Sequence, residues 1–183
     1  MQKQFFLMIM FLIAISGLSQ KRYFTKSGNI VFNAGTVLED IAGINNTSSS
    51  VFDAGTGQIE FAVLIKGFEF KRALMQEHFN ENYLESGKFP KSIFKGRVTN
   101  ISEVNFQQDG TYPVTVNGLL EIHGVTKQVE TRGTMKVAGE SVLANADFNV
   151  IVADYNIAIP GLVKDKVSKT ATIKVNCNYK LLK

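Results

Sequence analysis

From about Asn29 to the C-terminus, apolar and polar residues alternate with the period of two that a half-buried strand requires. "NIVFNAG" puts Ile30 and Phe32 on one face, and "GQIEFAVLI" does the same with Ile59, Phe61, Val63 and Ile65. "SIFKGRVTNISEVNF" is long and twice interrupted, with Phe94 and Val98 in phase. "TYPVTVNGLLEI" sets Tyr112, Val114, Val116, Leu120 and Ile122 against Thr111, Thr115, Asn117 and Glu121. "VTKQVETRGTMKV" and "SVLANADFNVIV", the latter carrying Phe148, are expected to pair across a short turn at Ala138, Gly139 and Glu140. The last strand, from about Thr170 to Leu181, aligns Ala171, Ile173, Val175, Cys177, Tyr179 and Leu181. The polar run "NNTSSS" at 45–50 reads as a strand edge or a loop.

One stretch breaks the period. In "MQEHFNENYLESGKFP" (75–90), Met75, Phe79 and Tyr83 fall four apart, the spacing of a helix face. Gln76, Glu77, Asn80 and Glu81 are expected to face water, and Gly87 and Pro90 return the chain to strand.

About eight antiparallel strands in one domain have edges to protect, and closure into a barrel removes them. The expected fold is therefore all-β: an antiparallel barrel with one short amphipathic helix inserted. A barrel of that size is filled by its own side chains or is just wide enough for a slender ligand. The alternation makes its interior Phe, Ile, Val, Leu and Ala. The helix then either lids a cavity or plugs a packed core, and the pattern leaves both open.

The N-terminus does not belong to this pattern. Lys3, the apolar run Phe5–Ile15, and Gly17 and Ser19 form the profile of a secretory signal peptide cleaved before Gln20. The run is shorter than the roughly 20 residues a spanning helix needs. Residues 1–19 are thus expected to be a signal peptide and 20–183 the barrel domain, exported to a periplasm or the exterior. The single cysteine, Cys177, precludes an intrachain disulfide and reads as a small core residue.

Candidate chemistry is sparse. The net charge of +4 is modest and its basic residues are scattered, which argues against nucleic-acid binding. The two histidines, His78 and His123, lack the companions of a metal site. No nucleophile elbow, phosphate loop or dinucleotide fingerprint occurs. No enzyme activity, cofactor or metal is expected. Lys164, Lys166 and Lys169 in "PGLVKDKVSKT" read as a solvated loop, with transient contact to an anionic membrane surface as the alternative.

At "NGLLEIHGVTKQVE" (117–130) the chain resembles the Gly-x-Leu-x-Ile-His-Gly-Val-Thr-Lys signature of the YceI-like polyisoprenoid-binding family. "NIVFNAG", "EHFNENYLESGKFPKSIFKG" and "ADFNVIVADYNIAIP" match in order, so the resemblance spans essentially residues 20–183. It departs at one place: many members carry Arg-Asp just before the helix histidine, whereas Ala73, Leu74 and Met75 here intervene between Arg72 and the His78 region. The resemblance implies an extended, lipocalin-like barrel that holds a long isoprenoid chain. His123 and Gly124 read as a strand-to-strand corner and Lys127 as outward-facing, the alternative being contact of His123 or Lys127 with a polar head group.

The expected function is non-covalent carriage of an isoprenoid or isoprenoid quinone. The inward sets Ile30, Phe32, Phe61, Val63, Phe94, Val98, Phe148, Ile173 and Val175 would take the tail, with Met75, Phe79 and Tyr83 closing over it. The rival readings are a packed barrel acting as an envelope interaction module, and a lipid-modifying enzyme.

Overall fold

The computed structural model describes residues 21–182. The expected signal peptide lies outside the described residues. Eight long or medium strands form the barrel: β1 (Arg22–Gly35), β2 (Ala42–Asp53), β3 (Gln58–Leu64), β5 (Lys91–Val98), β6 (Gly110–Ile122), β7 (Val125–Ala138), β8 (Ser141–Ile151) and β9 (Val167–Leu181). They pair antiparallel in the order β1-β9-β8-β7-β6-β5-β3-β2, and β2 returns to β1 to close the ring. A two-residue strand, β4 (Glu69–Phe70), caps the start of β2 through Gly43↔Phe70.

Tight turns fix the register. β6 and β7 pair from Gly110↔Val137 to Ile122↔Val125 without a shift, leaving only His123 and Gly124 to turn the chain. Both adopt positive φ, 52° and 73°, the signature of a two-residue turn whose twist matches that of its strands. A side chain at 124 would also place its Cβ 2.5 Å from the Phe89 ring. Gly124→Ala is therefore expected to destabilise the fold by more than about 1 kcal/mol. For a chain of this size that lowers the thermal midpoint by about 3 °C or more, readable by circular dichroism.

The same register corrects one expectation. Lys127 pairs with buried Leu120, so it shares the inner face of the sheet rather than the outer one. It nonetheless stays exposed, because the wall opens beside it. The β7–β8 ladder runs only from Ala138↔Ser141 to Gly133↔Ala146, beyond which the strands part. Thr131 Oγ1 donates across the start of this gap to the Asp147 carbonyl, at 3.0 Å.

"NNTSSS" is neither loop nor edge. It lies within β2, and Asn45, Ser48 and Ser50 are buried. Each polar group has a partner. Asn45 Nδ2 donates to the Leu64 carbonyl at 2.9 Å, and its Oδ1 accepts from the Thr47 amide at 2.8 Å and from Ser48 Oγ at 3.2 Å. Ser50 Oγ donates to the Glu60 carbonyl at 2.7 Å and lies 2.7 Å from the Tyr179 hydroxyl. Satisfied in this way, the run tolerates burial at small cost.

The core divides into two. At the end carrying the 54–57, 99–109 and 139–140 connections, Tyr23, Phe52, Val98, Met135, Val137, Val142 and Tyr179 pack solidly. Phe106 enters from the 99–109 connection and sets its ring 5.9 Å from Tyr23 and 5.8 Å from Phe52. Cys177 belongs to this floor, and burial pushes its thiol up to about 12, so it behaves as a small apolar group. A second apolar cluster occupies the other half, around Phe32, Val63, Phe68, Phe79 and Leu120.

Candidate functional site

Between floor and opposite end lies a cavity of about 500 Å³. That falls in the range of small-molecule sites, roughly 300–1,000 Å³. Strand parity builds its wall. Alternate residues of β1, β3, β6, β8 and β9 turn inward, with small ones such as Ala34, Ala144, Ala146 and Ala171 among them. A bulge in β1 between Thr25 and Ile30 switches the phase, so that Tyr23 and Thr25 face the floor while Ile30, Phe32 and Ala34 face the same interior above it. Phe61 and Phe94, 6.3 Å apart and edge to face, mark the level where cavity meets floor. A Cβ at Gly96 or Gly118 would lie 2.5 or 2.7 Å from the Phe94 ring. The two side-chain-free positions let that ring lie back against the wall, which keeps the lumen clear.

The mouth is covered by α1 (Ala73–His78), which runs on into a π-turn from Phe79 to Tyr83. The wider turn changes the phase of the buried face. Phe79 and Leu84, five apart and joined by a 2.9 Å amide-to-carbonyl hydrogen bond, are the buried pair, whereas Met75 and Tyr83 are half-buried. Phe79 stacks on Phe32 at 5.0 Å and meets Phe68 and Phe70 at 5.4 and 5.0 Å. Of the four polar residues expected in water, Glu77 and Glu81 are exposed, but Gln76 and Asn80 are partly covered. Gln76 Oε1 accepts from the Phe70 amide at 3.3 Å, and Asn80 Nδ2 donates to the Gln76 carbonyl at 2.8 Å. The first bond fastens the helix to β4, and the second stays within the helical segment.

Ile30, Phe32, Phe61, Val63, Met75, Phe79, Tyr83, Phe94, Phe148, Ile173 and Val175 all line this cavity. Val98 does not: it points inward but is fully buried in the floor, below the hollow part. Period-two reasoning reports the side of a sheet and not the depth along a barrel, which is why it placed Val98 with the others.

Polar groups gather at one side of the mouth, where Glu39, Arg72 and Lys166 reach the cavity edge. Glu39 forms ion pairs with Arg72 and, at 3.5 Å, with Lys166. The Arg72 hydrogen bond, more than any other favourable contact, holds its carboxyl below the usual carboxylate range. Glu39 thus ties the β1–β2 connection both to the start of the helix and to the segment before β9. Sequence reading passed over Glu39, since an acid in a polar loop gives no signal until its partners are in place. His123 is a second clasp. Its Nε2 lies 2.7 Å from Glu85 Oε2 and its Nδ1 3.1 Å from the Tyr155 carbonyl, while its ring meets Phe89 edge-on. Both nitrogens are engaged by the protein, so the corner is bound to the lip on one side and to the segment after β8 on the other. Among the described residues, no three His, Cys, Asp or Glu side chains gather in a way that would hold a metal ion.

Fold and cavity together define a lipocalin-like barrel: closed, eight-stranded and antiparallel, with an apolar cup beneath a short helix. The family model of the YceI-like domain matches residues 24–179, and the chain belongs to that family. Three solved structures are similar in fold. A polyisoprenoid binding domain from Saccharophagus degradans, implicated in plant cell wall breakdown, superposes with a TM-score of 0.76 at 11% identity, over 89% of this chain and 99% of that one. BcnA of Burkholderia cenocepacia gives 0.68 at 12% identity, over 83% and 95%. The YceI protein of Campylobacter jejuni gives 0.54 at 13%, over 75% and 84%. No curated protein matches the sequence.

Proposed function

We propose that this protein is an exported carrier that holds a long apolar lipid, of the isoprenoid or isoprenoid quinone class, in the barrel cavity without catalysis. The observation that carries the reading is the hollow half of the barrel: a lumen walled mostly by aliphatic and aromatic side chains and bounded by a solid floor. Below its polar rim such a lumen offers a polar substrate few partners, but suits a hydrocarbon chain. Burying about ten methylene groups contributes about 8 kcal/mol, which corresponds to a dissociation constant of about 1 μM before the cost of ordering the chain. The description of the S. degradans neighbour as polyisoprenoid binding favours an isoprenoid over a straight acyl chain. The signal-peptide profile of residues 1–19 supports export.

Native mass spectrometry of protein purified from the exporting host tests the reading. A bound mass is expected that organic extraction releases and identifies as a long-chain lipid. Protein that leaves the host with an empty cavity, and takes up no isoprenoid when offered one, would refute it.

A further inference from the structure

A carrier must meet a membrane with its mouth, and the surface chemistry of this barrel differs at its two ends. Large apolar side chains stand exposed around the mouth: Val37 at 102% and Leu38 at 68% exposure in the β1–β2 connection, Leu162 at 100% in the segment before β9, and Leu74 at 59% on α1. The connections at the floor end, residues 54–57, 99–109 and 139–140, carry no large apolar group of comparable exposure among the described residues. Single exposed apolar residues are ordinary on any protein. A group of them on three neighbouring segments is not.

The three segments are joined in space. Thr36 Oγ1 donates to the Asp165 carbonyl at 2.9 Å, and Glu39 holds both Arg72 and Lys166. Lys71 pairs with Asp40 at 2.8 Å. These pairs consume Glu39 and Asp40. On the stretch that carries Leu162, Lys164, Lys166 and Lys169 outnumber its one acid, Asp165, and Lys164 and Lys169 form no ion pair among the described residues; the exposed acid of α1, Glu77, lies on another of the three segments. Apolar tips beside this lysine-rich stretch complement an anionic lipid surface: tips enter the acyl boundary and ammonium groups meet phosphates. The segments border the cavity directly, since Arg72, Leu74, Val163 and Lys166 belong to its wall.

We propose that this rim docks on anionic phospholipid bilayers, presenting the mouth to the membrane so that a lipid passes between bilayer and barrel without crossing water. The proposal rests on the carrier reading for its purpose, but its test does not. The chain contains no tryptophan, so Leu162→Trp introduces a unique reporter. With vesicles of phosphatidylcholine and phosphatidylglycerol, its emission is expected to shift to the blue and to be quenched by brominated acyl chains. Leu143→Trp, on the outer wall, is expected to do neither. The double variant Val37→Asp/Leu162→Asp should bind these vesicles at least about tenfold more weakly, with its far-ultraviolet dichroism unchanged. A Leu162→Trp spectrum indifferent to vesicles would overturn the proposal even if the purified protein carries lipid. Insertion by a protein that never carries lipid would uphold the docking surface and sink the carrier reading. Equal insertion into pure phosphatidylcholine would remove the electrostatic part. A concentration-dependent dimer that the double aspartate variant abolishes would assign the surface to self-association instead.

Discussion

Phe61→Asp is expected to reduce the lipid-loaded fraction from most of the protein to a trace, while Lys164→Glu leaves occupancy near that of the parent. Phe61 faces the cavity at the level where the hollow half meets the floor, with Phe94 edge-on beside it. A carboxylate at that point has no cationic neighbour. The charged groups that reach the cavity, Glu39, Arg72 and Lys166, come from the mouth segments rather than from β3, as does His78 on α1. An unpaired charge there either retains water that a hydrocarbon tail must displace or neutralises itself, and either course costs several kcal/mol against an apolar ligand. A penalty of about 3 kcal/mol weakens binding by a factor of about 150. Lys164 lies on the outer rim, so its reversal acts on encounter and not on the bound state. Native mass spectrometry and displacement of a fluorescent polyene lipid measure both variants, with Phe61→Leu controlling for loss of the ring. Equal losses from Phe61→Asp and Lys164→Glu would show that the tail does not lie against β3.

Much of this architecture can be read from alternation alone, because a strand with one buried face writes its orientation into every second residue. β9 is the clearest case, with Ala171 through Tyr179 inward along its length. The features that escaped are those in which a tertiary partner overrides local pattern. Asn45, Ser48 and Ser50 look like solvent residues until the Leu64 and Glu60 carbonyls and the Tyr179 hydroxyl are set beside them. Leu84 replaces Tyr83 as the deeper residue because a π-turn, which no residue spacing announces, adds one position to the helix. Lys127 takes the inner face because the His123–Gly124 turn is only two residues long, and it escapes burial because β7 and β8 part there. The ion-paired rim around Glu39 joins residues from three distant segments, and that juxtaposition exists only in the folded chain.

The division between hollow and solid halves carries a second large effect, on stability. Phe52→Ala is expected to cost about 3–5 kcal/mol, whereas Phe148→Ala costs no more than about 1–2 kcal/mol. Phe52 is fully buried, with Tyr23, Phe106 and Tyr179 rings at 6.1, 5.8 and 6.1 Å. Removing its ring opens a void that strands tied on both sides cannot collapse into, and the cavity term adds to the lost transfer energy. Phe148 already borders empty volume on its inner side, so truncation enlarges a space that exists and forfeits fewer contacts. Urea unfolding monitored by circular dichroism decides the matter through the midpoint, provided the slope is unchanged. The same pair should reverse in a ligand assay, because Phe148→Ala alters the wall against the tail and Phe52→Ala lies beneath it. Val98 sorts with Phe52 on this criterion: Val98→Ala should lower the urea midpoint and leave occupancy of the surviving folded protein intact. If Phe148→Ala proved as destabilising as Phe52→Ala, the upper half of the barrel would be as tightly filled as the floor, and no lumen would remain to hold a lipid.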